Sequence, residues 1–250
     1  MSQLIQSFLL IGSVLACGLL VLTFQLKGEK SIKLLLSFSG AYILALCLFH
    51  LIPEVYSDLH NTSLAGWAIV IGFLLQLALD YISGGIEHGH VHLHKHDNQA
   101  SHLQKEQQRF PLMMMAGLCI HAFIEGVPLF LEPEGSELLT GIILHNIPIS
   151  ITLVAALLHA GISVRNSFLA LLFFSLMTPA GALSAFGLLP SLSTDWRDLM
   201  APLSLALVIG IFLHISTTIL FESDKNHRFN LAKFMTILAG VIGCFLLNYH

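Results

Sequence analysis

Eight apolar runs recur along this 250-residue chain, at roughly 4–26, 34–53, 64–86, 110–131, 137–159, 166–189, 199–221 and 230–248. A helix needs about 20 such residues to cross a hydrocarbon core about 30 Å thick. The pattern therefore predicts an all-α integral membrane protein, with residues 1–250 forming one domain of eight transmembrane helices in a lipid bilayer. Composition agrees, with 55% hydrophobic and only 10% charged residues, where an ordinary soluble domain carries about 25% charge. No basic n-region precedes the first apolar run, so that run is expected to stay as a span rather than be cleaved.

Lys and Arg accumulate on the cytoplasmic side of membrane proteins, and here they sort cleanly. Lys27, Lys30 and Lys33 lie between the first two spans, and Lys95, Lys105 and Arg109 between the third and fourth. Arg165 follows the fifth, and Lys225, Arg228 and Lys233 follow the seventh, leaving Arg197 alone on the other side. Both termini are thus expected on the non-cytoplasmic side of a plasma (inner) membrane. The net charge of −4 suits a surface that avoids polyanions, and no nucleic-acid partner is expected. Cys17, Cys47, Cys119 and Cys244 lie in apolar segments without a C-x-x-C pair, so neither disulfides nor thiolate metal sites are expected.

The connector LEPEGSE between the fourth and fifth spans carries three acids and no base. Its shortness makes those spans antiparallel neighbours, and depth can be counted from its turn near Glu134. At 1.5 Å per residue, His121, Glu125 and His145 lie roughly 20, 14 and 17 Å below that turn. They share a depth near the middle of the bilayer, where an unpaired carboxylate is costly and polar groups mark a pathway or site. His121 and Glu125 are also four residues apart, on one helical face. Pro148 and Pro128 each remove an amide, freeing the carbonyls of Leu144 and Ile124, which predicts a kinked, hydrated place between the two helices.

Two imidazoles and one carboxylate suit zinc, iron(II), manganese or nickel, whereas Na⁺ and Ca²⁺ sites are built of oxygens. The competing structural explanation is that His121 and His145 only hydrogen-bond between helices. Between the third and fourth spans, GGIEHGHVHLHKHDN puts His88, His90, His92, His94 and His96 on alternate positions, within a cytoplasmic loop over 87–109. Such a loop can capture metal with little preorganisation; otherwise it is a solvated linker. His50, Glu54, His159, His214 and Glu222 mark possible ends of a path, although singly such residues snorkel to the interface. Gln76 and Asp80 in the third span read equally well as an interhelical pair.

Taken together, these motifs resemble the Zrt/Irt-like (ZIP) divalent-metal transporters over nearly the whole chain: HLIPE (50–54), HAFIEG (121–126), HNIPIS (145–150), GIFLH (210–214) and the His-rich loop. The resemblance implies a bundle with the fourth and fifth spans central and the first three and last three forming an inverted repeat. It also implies a divalent ion, zinc first and iron or manganese next, carried as substrate into the cytoplasm through a mid-membrane site. His121, Glu125 and His145 match the family's ligands, with Asn146 as an auxiliary oxygen. Ala122, Ile124 and Ile149 depart from the family pattern, and Ile149 stands where a bridging glutamate is usual. One carboxylate leaves a bound divalent ion at about +1, so loose or proton-dependent binding is expected. An intramembrane zinc-dependent hydrolase is the alternative, weakened by the lack of H-E-x-x-H; a sensor that binds metal without moving it is another. Monomer and homodimer both stay open.

Overall fold

The computed structural model describes residues 2–24, 29–59, 61–83, 100–131, 137–221 and 231–248. All regular structure among them is helical. Helix α1 spans Gln3–Phe24, α2 Glu29–Leu46, α3 Ile52–Asp58 and α4 Thr62–Ser83. Then follow α5 (Ala100–Gly126), α6 (Glu137–His159), α7 (Val164–Leu188), α8 (Thr194–Phe221) and α9 (Leu231–Asn248). Five π-helical residues, Cys47–Leu51, join α2 and α3 into one span over Lys30–Asp58. Among the described residues, seven spans are long and apolar enough to cross a membrane, and α5 adds the shorter apolar stretch Leu112–Gly126.

Two local departures from the sequence expectation have a backbone cause. Pro128 does not kink the fifth helix; α5 stops at Gly126, and the amide of Val127 donates to Ile124 O at 3.1 Å. The carbonyl expected to be free is therefore taken by a tighter turn, and two further such turns carry the chain to Leu131. Residues 100–109, within the stretch 87–109 expected as a loop, are helical and begin α5. In the second span, Pro53 offers no amide, and the amide of Ile52 reaches back five residues to Cys47 O. The resulting π-turn changes the direction of His50 relative to an uninterrupted helix.

The helices pack most extensively as α4 on α8, α2 on α9, α5 on α7 and α1 on α6. Exchanging spans one, two and three with six, seven and eight, and α5 with α6, maps this set of pairs onto itself. That is the packing expected of an inverted repeat. One buried apolar cluster, from Val14 to Phe174, is drawn only from α1, α5, α6 and α7. The other joins α2, α3, α4, α8 and α9 with Leu10 of α1, Ala182 of α7, Leu129 and Phe130 just after α5, and the first turns of α6.

Two of the pairs cross through reciprocal glycines. A Cβ on Gly126 would collide with Thr178 O, and one on Gly181 with Phe123 O. The α4–α8 crossing repeats the device, with Gly72 against Leu207 O and Gly210 against Ile69 O. Each glycine meets the carbonyl three residues before its partner glycine. Lipid tails offer no hydrophobic drive for helix association, so close backbone approach is a main source of cohesion. The first crossing lies one residue beyond Glu125 and sets how α5 sits on α7.

Candidate metal centre

His121 and Glu125 stand one turn apart on α5, and both are 0% exposed. His121 Nε2 lies 2.7 Å from Glu125 Oε1. His145, also 0% exposed, projects from α6, and its Nε2 is 3.9 Å from the same oxygen. Donor atoms of the three residues all fall within 4.8 Å of one another. Among the described residues this is the one group of three His, Cys, Asp or Glu side chains so placed. The two imidazoles meet edge to face at 5.8 Å, and Phe212 of α8 walls the far side of His145 at 6.1 Å.

Neither oxygen of Glu125 has a hydrogen-bond partner among the described residues, despite the short contact with His121. The two groups are close but not aligned for a hydrogen bond, as when both aim at a third point. Ligands around a tetrahedral zinc stand roughly 3.3 Å apart at metal–ligand distances of about 2.0–2.2 Å, and small rotations bring these donors there. A buried carboxylate without donors is otherwise very unfavourable. Asn146 is 1% exposed, and its Oδ1 likewise lacks a hydrogen-bond partner. Ile149 is 2% exposed and belongs to the apolar cluster with Leu118 and Ala122.

One residue was not assigned to the site from sequence. Gln76 of α4, 0% exposed, places its Oε1 3.0 Å from His121 Nδ1. Gln76 thus does make an interhelical contact, with a histidine of the next span 45 residues along the chain. Its one advance signal was an amide in the middle of an apolar run.

The other singled-out residues are dispersed. His50 Nδ1 lies 2.7 Å from Oε2 of Glu137, the first residue of α6, with the two side chains 23% and 35% exposed. Glu54 follows one turn later in α3. His159 is exposed at the last residue of α6. His214 is buried on α8, with its ring edge-on to Phe73 at 5.0 Å. Glu222 and the loop histidines His88, His90, His92, His94 and His96 lie outside the described residues.

The family model for ZIP zinc transporters matches residues 85–248. Zinc transporter ZIP9 of Micropogonias undulatus is 28% identical to the chain over 200 residues, 72% of this chain and 61% of that protein. Zinc transporter ZIP9-A of Xenopus laevis is 27% identical over 170 residues, 65% of this chain and 52% of the relative. Zinc transporter YKE4 of Saccharomyces cerevisiae is 28% identical over 149 residues, covering 54% and 43%. The chain spans about half the length of the curated relatives it matches.

Proposed function

The chain belongs to the ZIP zinc transporter family, and we propose that it carries a divalent transition metal, zinc before iron(II) or manganese, across a membrane into the cytoplasm. The proposed route passes between α5 and α6, through His121, Glu125 and His145. One observation supports it above the rest: three fully buried donors converge within 4.8 Å, one on the membrane-crossing helix α6 and two on the apolar stretch Leu112–Gly126 of α5. Their chemistry fits the task. Imidazole and carboxylate together favour first-row divalent ions over the alkali and alkaline-earth ions that oxygen cages select.

Charge accounts for release. A divalent ion held by one carboxylate and two neutral imidazoles keeps about one positive charge in a poorly polarisable surrounding. Such an ion is held less firmly than in a closed structural site, as a transported ion must be. The inward direction follows from the resemblance to the family, and the sorting of basic residues supports an orientation with both termini outside and the His-rich loop inside. Acids flank the outer end, where Glu137 meets His50.

Membership in a transporter family sets the hydrolase alternative aside. The sensor reading is separated from transport by flux. Purified protein in proteoliposomes enclosing a zinc-sensitive dye is expected to take up zinc, and Glu125→Ala to abolish that uptake. Uptake by Glu125→Ala at the unmutated rate would put the path elsewhere. Binding without any flux in the unmutated protein would leave the sensor reading.

A further inference from the structure

We infer that Gln76 is a positioning residue for the metal ligand His121: it holds the imidazole as the Nδ1–H tautomer and thereby tunes how firmly an ion is gripped. The inference rests on the proposed role of His121 and goes beyond it, to a residue on a different helix.

An amide in an apolar helix is unfavourable to bury unless it is hydrogen-bonded. Gln76 is 0% exposed, and its Oε1 stands 3.0 Å from His121 Nδ1. A carbonyl oxygen only accepts, so the proton of that bond sits on Nδ1. In a neutral imidazole the lone pair is then on Nε2, the atom 2.7 Å from Glu125 Oε1 and facing the centre of the three donors. Without this acceptor the ring could carry its proton on Nε2 and point N–H at the ion position. The tautomer of a ligating histidine is set in this way by the bond its other nitrogen makes.

The identity of the acceptor matters as much as its place. Carboxylates commonly occupy this position behind a zinc-bound histidine, where they raise the basicity of the ligand. Gln76 supplies the same geometry without the charge. The imidazole is oriented but not strengthened, which suits an ion that has to leave. The bond also crosses the molecule: α4 packs in the cluster of α2, α8 and α9, whereas the inner half of α5 packs with α1, α6 and α7. The ring of His121 is thus oriented from outside its own helical cluster.

The test uses the full chain in proteoliposomes and, for the tautomer, protein labelled with ¹⁵N-histidine. Gln76→Leu is expected to raise the KM for zinc uptake by roughly 10- to 100-fold, the usual effect of losing such a partner. Gln76→Glu should lower KM and maximal rate together, because a stronger acceptor tightens binding and slows release. In metal-free Glu125→Ala, where no carboxylate competes for a proton on Nε2, the His121 resonances, identified by their further loss in His121→Ala, should report Nδ1–H, and adding Gln76→Leu should shift them toward Nε2–H. An Nε2–H signature in Glu125→Ala with Gln76 intact overturns the inference. So do unmutated KM values in both Gln76 variants while Glu125→Ala abolishes uptake. Persistence of uptake in Glu125→Ala is a different failure, that of the transport site itself.

Discussion

Glu125→Gln isolates the charge of the proposed site from its shape. The side chain is 0% exposed and contributes the one carboxylate among the three converging donors. Glutamine keeps an oxygen donor and the volume, and removes the only negative charge facing the ion. Breaking a buried charge pair by removing one partner costs about 3–5 kcal/mol. At about 1.4 kcal/mol per tenfold, zinc affinity should fall by roughly 150- to 4,000-fold. The empty protein behaves differently: neither Glu125 oxygen accepts a hydrogen bond among the described residues. Glutamine therefore forfeits none, and an unfavourable buried charge disappears. The metal-free melting temperature should hold or rise, while the stabilisation by zinc, about 2.7 kcal/mol at a hundredfold excess over Kd, should vanish. Calorimetric titration and thermal unfolding with and without zinc measure both, in protein lacking residues 88–96 so that the loop binds nothing. An affinity loss under tenfold, or a clear drop in metal-free stability, would refute the reasoning.

Gly126→Ala drives a methyl into Thr178 O at the α5–α7 crossing and should destabilise by about 1–3 kcal/mol, as overpacking does. Gly12→Ala meets nothing within 4 Å and should be neutral or stabilising by up to about 1 kcal/mol; thermal unfolding of the pair in one detergent checks the contrast. His50→Ala breaks a partly exposed pair with Glu137, so unfolding should shift by no more than about 1 kcal/mol, and any change in uptake should fall on KM, read from zinc concentration series. Ile149→Glu puts a carboxylate in an apolar cluster and should lower metal-free stability by several kcal/mol, on the order of what an unpaired buried charge costs; if position 149 can bridge a second ion, zinc restores the loss and elemental analysis finds one more ion per chain.

Much of the architecture was legible in one dimension because a bilayer imposes local rules. Crossing length and hydropathy are properties of consecutive residues, so the spans could be delimited before any packing was known. The i, i+4 spacing placed His121 and Glu125 on one face, and the short connector after α5 let His145 be matched in depth; the structure brings all three within 4.8 Å. What depended on tertiary structure involves rotation of one helix against another. Nothing in the order of residues says that Gln76, 45 positions before His121, turns toward it. Likewise, Pro53 signals a break, but only the packed bundle shows the π-turn over Cys47–Leu51 and the meeting of His50 with Glu137. Pro128 follows the end of a helix rather than kinking it, and only the backbone path shows the amide of Val127 turning back to Ile124 O. Hydropathy records which solvent a residue meets, whereas helix rotation and crossing are decided by close contacts between segments that sequence separates.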